Sequence, residues 1–334
     1  MIEIFDPIAI VILIVGFYMA WNIGANDLAN AMGTSVGSGA LRIWQVVLIA
    51  GSLEFVGAVF FGSRVTKTVA KAIVPLDTLE ADVVAVGGLA TLLAAGLFIT
   101  LATLRGVPVS TTHSIVGATL GFGLVSVGVQ QIAWKVLLKI VASWVVSPLV
   151  GGLLAFLTFK LIVITMLHRV RYRRLTRIFA TLQILSAGYV AFAHGSNDVA
   201  NAIGPMAVAL GGTGSQIPLW LLALGGGGIV IGVTSWGYRV IETVGKQITT
   251  LVPISGFSAE FGAATGVLIA SSLSLPVSTT HTLVGSVIGV GLARGFAALN
   301  LRRIQDIFIA WIITVPTAAV LTMGIYVALR ALGL

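Results

Sequence analysis

The chain has 334 residues, of which 57% are hydrophobic and 9% charged, with a net charge of +8 and a mean hydropathy of +1.08. This composition excludes a soluble domain, which would lack the polar surface needed to cover it. The positive charge does not indicate a nucleic-acid partner, because the densest basic cluster, at 168–177, lies between two apolar runs. The chain has no cysteine, which excludes disulfides and thiolate chemistry.

Apolar runs of about 18 or more residues predict membrane helices. The run at 8–21 is expected to be a first span rather than a removed signal peptide, since it lacks a basic n-region and a cleavage site. We therefore predict an all-α integral membrane protein with about 10–12 transmembrane helices, some of them broken or re-entrant. The predicted spans are 8–25, 43–62, 83–104, 115–133, 136–167, 178–194, 217–236, 261–275, 283–297 and 307–329.

Two motifs occur twice in the same order. PVSTTH begins at 108 and again at 276, an offset of 168, and GANDLANAMG at 24–33 returns as GSNDVANAIG at 195–204, an offset of 171. Nearly equal offsets indicate an internal duplication. The predicted domains are a first repeat at 1–168, an Arg-rich linker at 169–177 and a second repeat at 178–334.

An odd number of spans in each half would turn the second copy upside down in the bilayer. An Arg-rich linker is typical of the cytoplasmic side, and five spans in each half then place both termini outside. This orientation puts five basic residues inside and three outside, the latter against the usual charge bias. The first group is Arg42, Arg239, Lys246, Arg302 and Arg303, and the second is Arg64, Lys67 and Lys71.

Four acidic residues lie within or at the end of apolar runs: Asp27, Glu54, Asp198 and Glu260. A charged carboxylate at the centre of a membrane helix costs at least ~2.5–3.5 kcal/mol. A structural hydrogen bond would explain one such residue, but two Asp in duplicated motifs indicate function.

In GANDLANAMG, Asn26 and Asn30 are one helical turn apart with Asp27 beside them. Gly24 and Gly33 are expected to weaken the helix and free backbone carbonyls. Such oxygens are ligands for hard cations, so we predict a sodium site; hydrogen bonding between packed helices is the alternative. The second copy offers Asn197, Asp198 and Asn201.

PVSTTH combines a Pro suited to the first turn of a helix with Ser and Thr suited to its cap. Free N–H groups, hydroxyls and the positive end of the helix dipole would meet there and bind an anion. Two such starts in inverted halves could face each other near the bilayer midplane, although ordinary capping at the membrane surface remains the alternative. The predicted anion ligands are Ser110, Thr111, Thr112, Ser278, Thr279 and Thr280, with Asn30 and Asn201.

His113, His194 and His281 lie in these polar stretches and could be metal ligands, proton carriers or hydrogen-bonded core residues. A transition-metal site is disfavoured without Cys or a His-x-x-x-His spacing. An intramembrane enzyme is disfavoured because H-E-x-x-H is missing from the sequence, and because a nucleophilic site would need one differentiated serine rather than two equivalent sets. Pseudo-symmetric polar stretches fit alternating access better, while a channel stays open as an alternative.

Together, GANDLANAMGTSVGSGAL, HGSNDVANAIGPMA and the doubled PVSTTH resemble the PiT family of inorganic phosphate transporters, and the resemblance covers essentially the whole chain. It implies cation-coupled symport of phosphate, inverted repeats, a central site and a homodimer in the cell inner membrane. We expect sodium coupling; proton-coupled or metal-phosphate symport is the alternative, and sulfate or arsenate could replace phosphate. No cofactor is expected beyond the co-transported sodium.

The resemblance also assigns residues. It implies phosphate ligands in the two hydroxyl loops, at 110–112 and 278–280, and cation binding or coupling at Asp27, Asp198, Glu54 and Glu260. Asn26 and Asn197 join the predicted cation ligands because of their amide oxygens. The chain departs from the duplication at the glutamates, because Glu260 corresponds to Leu92 at offset 168 and Glu54 to Gly225 at offset 171.

Overall fold

The computed structural model describes residues 6–71, 73–167, 169–212, 216–237 and 251–334, except for the side chains of residues 29–31, 70, 71, 77, 297 and 303. Arg239 and Lys246 therefore lie outside the described residues, as do the side chains of Asn30, Lys71 and Arg303. Every regular element in the described ranges is helical. The α-helices are α1 Pro7–Gly37, α2 Ile43–Phe61, α3 Ser63–Lys71, α4 Ala81–Leu104, α5 Thr111–Ser126, α6 Trp134–Ile162, α7 Tyr172–Ala209, α8 Leu219–Ser235, α9 Pro253–Ser272, α10 Thr279–Arg294 and α11 Leu301–Ala331.

All ten predicted spans correspond to helices in the described part of the chain, and seven of these are long and apolar enough to cross a membrane. The seven are α1, α2, α4, α6, α7, α9 and α11. The chain is therefore a multi-pass membrane protein. The predicted spans at 115–133 and 283–297 are the 16-residue helices α5 and α10. Each rises about 24 Å, which is short of the ~30 Å hydrocarbon core.

The first PVSTTH lies at the tip of a re-entrant hairpin formed by α4 and α5. The two helices pack against each other, and residues 105–110 join them. The amide of Ala133, beyond α5, donates to the carbonyl of Ile73, ahead of α4, at 3.0 Å. The chain therefore leaves the hairpin on the side where it entered. Helices α9 and α10 form the equivalent pair around the second PVSTTH.

The corresponding helices α1 and α7 run antiparallel. A Cβ at Gly16 would contact Met206, Asp27 lies beside His194, and Thr34 shares a hydrogen-bond partner with Ser186. The residue numbers of the partners in α7 thus decrease as the residue numbers in α1 increase, so the two helices run in opposite directions. The two halves are inverted relative to each other, as predicted from the duplication.

The halves also interleave. Helix α2 of the first half packs on α7 of the second, and α8 of the second packs on α1 of the first. In the same way α6 packs on α10, and α11 packs on α5. Each contact has a counterpart with the halves exchanged, which is the pattern that a two-fold pseudo-symmetry produces.

The predicted helix break at the Asn-Asp motifs is wrong: α1 and α7 are continuous through both copies. A glycine inside a helix costs only about 1 kcal/mol, and here it permits close packing. A Cβ at Gly24 would lie 2.0 Å from the carbonyl oxygen of Ile229, and one at Gly195 would lie 2.1 Å from that of Glu54. The glycines thus bring α1 against α8 and α7 against α2.

Two other segments show how the chain passes from the first half to the second. The Arg-rich segment 169–177 is helical from Tyr172 onward, where α7 begins, and its cytoplasmic location stays a prediction. The run at 136–167 forms one helix, α6, through Pro148. A π-helical turn, Val163–Leu167, extends this helix.

Candidate functional site

The two motif aspartates meet in the middle of the molecule. Asp27 of α1 and Asp198 of α7 both lie next to Nε2 of His194, and Glu54 of α2 lies next to Nδ1 of the same imidazole ring. All four side chains are almost completely buried. The close packing of α2 on α7 at Gly195 brings Glu54 to this position.

His194 contacts all three carboxylates. Its Nε2 is 2.8 Å from Oδ2 of Asp198 and 3.7 Å from Oδ2 of Asp27, and its Nδ1 is 3.1 Å from Oε1 of Glu54. Neither oxygen of Glu54 has a well-aligned hydrogen bond among the described residues. Asp27, His194 and Asp198 each offer a ligand atom within 4.8 Å of the others, a spacing that could hold a metal ion.

The two PVSTTH segments start helices that face each other, as the sequence predicted. Thr112 donates to the carbonyl of Val277 at 3.0 Å, and Thr280 donates to that of Val109 at 3.4 Å. The first serine of each segment is an N-cap, which accepts the amide of His113 or His281. Ser110 and Ser278 therefore set the direction of α5 and α10, as capping serines do.

The middle threonines connect these helix starts to the carboxylates. Thr111 donates to Oδ2 of Asp27 at 2.8 Å, and Thr279 donates to Oδ2 of Asp198 at 2.7 Å. Asn201 spans the halves, because its amide nitrogen lies 3.1 Å from Oγ1 of Thr112 and 3.4 Å from Oγ1 of Thr111. The same nitrogen is 3.4 Å from Oδ1 of Asp198. Hydroxyls, amide and carboxylates thus form one network.

The structure does not bring Asn26 and Asn197 into this network as the predicted sodium ligands. Asn26 donates to Oγ1 of Thr103 and to the carbonyl of Val107, and its oxygen accepts the amide of Val109. Asn197 repeats the arrangement in the second half, through Ser271 and Leu275. Each asparagine holds the turn of the hairpin in its own half next to the motif aspartate.

Glu260 lies in a separate polar cage. Its carboxylate accepts hydrogen bonds from Thr34 and Ser35 at the end of α1 and from Gln183 and Ser186 near the start of α7. Ser186 and Asp198 are twelve residues apart on α7, which is about 18 Å along the helix axis. Glu260, although predicted with the other three buried carboxylates to bind or couple a cation, therefore lies apart from them.

The polar cage has no polar counterpart in the other half. Glu260 corresponds to Leu92, which is buried. The residues at the positions equivalent to the cage are all apolar: Ile12, Val15, Pro205 and Met206.

Glu54 also lacks an acidic counterpart, and the predicted correspondence of Glu54 to Gly225 was wrong. The backbone of Glu54 packs on Gly195 just as that of Ile229 packs on Gly24. The structural counterpart of Glu54 is therefore Ile229 rather than Gly225, because the α1–α2 connection and its equivalent differ in length. Neither buried glutamate thus has an acidic counterpart in the other half.

The chain matches the family model described as the phosphate transporter family over residues 23–322. This chain belongs to the phosphate transporter family. It is 42% identical to a protein of Pyrococcus horikoshii named as a phosphate permease, over 98% of this chain and 99% of the relative. It is 39% identical to inorganic phosphate transporter 2-1 of Arabidopsis thaliana, over 93% of this chain and 70% of that protein.

A solved structure titled as the sodium-dependent phosphate transporter is 40% identical to this family member. It matches with a TM-score of 0.93 over 98% of this chain and all of the other. These relatives are transporters and permeases by name, in agreement with the expectation that the chain is not an enzyme.

In this conformation the described side chains of the site are almost completely buried. The cavity beside His194 and Thr279 has a volume of about 10 Å³, which is space for roughly one water molecule. The network of hydroxyls and carboxylates therefore has to open before an anion the size of phosphate can enter.

The sequence left the role of His194 open among three possibilities. One signal was present: His194 and Asp198 are four residues apart, so they share a helix face. The cage of Glu260 gave no such signal, since Thr34 and Gln183 come from separate helices far apart in the chain. The side chain of Asn30, a predicted phosphate ligand, lies outside what the structure describes.

Proposed function

We propose that this chain is a secondary active transporter that couples the uptake of inorganic phosphate to sodium by alternating access. The observation that carries the proposal is the contact of two facing helix starts with two motif aspartates. Thr111 and Thr279 donate to Asp27 and Asp198, so the groups suited to an anion and those suited to a cation share one network. Membership of the phosphate transporter family supports the same function.

Phosphate would bind between the starts of α5 and α10. Both N-termini point their positive dipole ends toward this place, and the hydroxyls of Thr111, Thr112, Thr279 and Thr280 provide donors that phosphate oxygens accept. Asn201 adds an amide donor that already lies beside Thr112. The hydroxyls of Thr111 and Thr279 would then turn from Asp27 and Asp198 toward the anion. Phosphate entry would thereby depend on whether the two aspartates hold a cation.

Sodium is needed because of charge. Three buried carboxylates and one histidine leave the cluster negative even when His194 is protonated, and phosphate adds one or two negative charges. Two like charges 4 Å apart repel by about 4 kcal/mol at an effective dielectric of 20. A helix terminus offsets only roughly half a charge. Cations at Asp27, Asp198 and Glu54 would supply the rest and make the binding of the two ligands mutually favourable.

Finer features of the proposal rest on the resemblance and on charge. We propose that Glu260 binds or couples a cation in its own cage, that Asn26 and Asn197 support the sodium site by holding the hairpin turns, and that Asn30 reaches phosphate. The transporter would act in the cytoplasmic membrane as a homodimer, without a resident cofactor. The Arg-rich segment would lie in the cytoplasm and both termini outside.

The test is uptake of labelled phosphate into proteoliposomes with an imposed sodium or proton gradient. We expect saturable uptake that an inward sodium gradient drives. Uptake driven by a proton gradient alone would replace sodium by protons as the coupling ion. Flux without saturation would indicate a channel and contradict the proposal.

Asp27→Asn or Asp198→Asn should flatten the sodium dependence of equilibrium phosphate binding, because each removes one carboxylate that requires a cation. The control is Asp82→Asn, since Asp82 is half-exposed and pairs with Arg330 at 2.9 Å. This control should keep the sodium dependence of the unmodified protein. Lower phosphate affinity with an unchanged sodium dependence in both motif variants would contradict the charge argument.

A further inference from the structure

Helix α3 carries basic residues that run against the usual charge bias of membrane proteins. Arg64 and Lys67 lie on its outer face and are exposed, while Val65, Thr66 and Val69 are buried. Neither basic side chain has an acidic partner among the side chains that the structure describes. The helix is therefore amphipathic, and its outer face is positively charged.

Helix α3 begins beside the substrate site rather than at the membrane surface. A Cβ at Gly62, which directly precedes α3, would lie 2.3 Å from Cγ1 of Val199, and Val65 packs on Ala200. Ala200 follows Asp198 by two residues, which is about 3 Å along the axis of α7. Helix α3 thus begins at the depth of the motif aspartates.

This depth is close to the middle of the bilayer. In an inverted repeat the two halves are related by an axis in the membrane plane, so equivalent residues meet at the midplane. Asp27 and Asp198 are equivalent, and both lie next to Nε2 of His194. The midplane is about 15 Å from either edge of the hydrocarbon core. A charge that faces lipid at such a depth is costly, so we expect the basic face of α3 to contact water.

The other end of α3 leads to the membrane surface. Ile73 follows α3 by two residues, and its carbonyl accepts the amide of Ala133 at the base of the first hairpin. Helix α3 packs on α7 and also touches α9, the helix that leads to the second PVSTTH. The basic face therefore extends between one membrane surface and the level of the proposed phosphate site.

The sequence of α3 recurs in the second half of the chain. A Cβ at Gly237 would contact Leu28 as one at Gly62 would contact Val199, and the two contacts are related by the repeat. The nine residues after these glycines read SRVTKTVAK and YRVIETVGK, which are identical at five positions. The first copy has three basic residues and no acidic one, whereas the second has two basic residues and one acidic. The positive charge is therefore stronger on the side of α3.

We propose that the basic face of α3 lines an aqueous vestibule through which phosphate approaches the helix starts, with Arg64 and Lys67 attracting the anion. This inference rests on the proposed function, because it names the path of the anion that the site would bind. A cleft lined by charges of one sign raises the association rate of an oppositely charged substrate by about 10–10³-fold. In the proposed orientation α3 lies in the outer half of the bilayer, so this vestibule is the entrance.

The first test does not depend on transport. Arg64→Cys and Lys67→Cys are made singly in the full chain, which has no native cysteine, and are treated in nanodiscs with a charged methanethiosulfonate. Because the thiolate is the reactive form and requires water, we expect rapid modification at both positions. Leu149→Cys is the control, since Leu149 is 67% exposed on the apolar helix α6 and should react slowly. Equal rates at all three positions would overturn the proposal and indicate basic side chains that extend to lipid head groups instead.

The second test is phosphate uptake into proteoliposomes at fixed sodium. Arg64→Gln combined with Lys67→Gln should raise KM for phosphate about 10-fold, at the low end of electrostatic steering, and leave kcat unchanged. Arg64→Lys combined with Lys67→Arg should restore KM. Choline chloride at ~1 M shortens the Debye length to about 3 Å, so it should reduce the difference in KM. Lys135→Gln is the matched control, since Lys135 is exposed near Ala133 on the same membrane side.

The outcomes separate this inference from the proposed function. A lower kcat with unchanged KM, or a rise in KM that salt does not reduce, would overturn the role of the two basic residues. Absence of phosphate uptake by the unmodified protein would contradict the proposed function, whereas the labelling experiment would still decide whether the basic face of α3 contacts water.

Discussion

His194 lies between three buried carboxylates, where a histidine can carry a positive charge in the place of a bound cation. Its ring nitrogens are 2.8 Å from Asp198 and 3.1 Å from Glu54. In the first half of the chain the position equivalent to His194 is Ile23. A protonated His194 would thus offset part of the charge of the cluster in this conformation.

Replacing His194 by Gln should make the thermal stability of the protein depend more strongly on sodium. Loss of one partner from a buried ion pair costs about 3–5 kcal/mol, whereas a bound ion at 100 times its Kd restores about 2.7 kcal/mol. The measurement is the unfolding temperature over a sodium titration. His113→Gln is the control, because His113 packs on aromatic rings. Equal sodium-induced shifts of the unfolding temperature in the unmodified protein, His194→Gln and His113→Gln would contradict this role of His194.

At the residue scale the sequence predicted the groups that repeat. Asp27, Asp198 and the two hydroxyl triplets were identified because each occurs twice in a hydrophobic chain. The separation of Glu260 from the cluster could not be predicted. The level of α7 that Glu260 contacts depends on how α9 packs against α7, which the sequence does not show. The role of Asn26 was missed because an amide suits a cation and a backbone turn equally well.

At the scale of elements, glycine sets how closely the long helices approach. Gly24 and Gly195 are the contact points of α1 with α8 and of α7 with α2. The sequence indicated Gly24 as a site of helix breakage, because helix propensity is a local property. Their use in packing depends on neighbours that lie far away in the chain.

Gly24→Ala and Gly195→Ala should each destabilise the protein and reduce phosphate uptake, since the new Cβ would meet backbone oxygen at about 2 Å. Gly227→Ala in α8 is the matched control. A Cβ there meets no atom within 4 Å, and alanine is favoured over glycine in a helix by up to about 1 kcal/mol. We expect unfolding temperatures that fall for the first two variants and stay level or rise for the third. Equal effects at all three positions would contradict the packing role.

At the scale of the whole molecule, the antiparallel run of α1 and α7 predicts opposite exposure of equivalent positions. Gln131 follows α5 and Asn300 follows α10, and both are exposed. The chain has no native cysteine, so Gln131→Cys and Asn300→Cys can be labelled singly in right-side-out vesicles. A membrane-impermeant maleimide should modify one of the two and leave the other until the membrane is opened. Modification of both from the same side would contradict inversion.

Fold class and inversion were predictable because they depend on composition and on a duplication visible in the letters. The hairpins were predictable in part: Pro and the capping residues located the helix starts at 111 and 279, but the return of α5 to its side of entry depends on a contact between Ala133 and Ile73. The interleaving of the halves left no pattern in the sequence, since the lipid-facing and partner-facing sides of these helices are equally apolar.

The interleaving bears on how the protein is made. Helix α5 packs on α11, yet the ribosome completes α5 at Ser126 long before it reaches Leu301. Until then the small residues Gly117 and Gly121, whose neighbours in the finished protein are Val315 and Ala319, lack that packing surface. The first half must therefore wait in the bilayer as a partly assembled intermediate. Helix α5 can settle between α4 and α11 only when the last helix has been inserted.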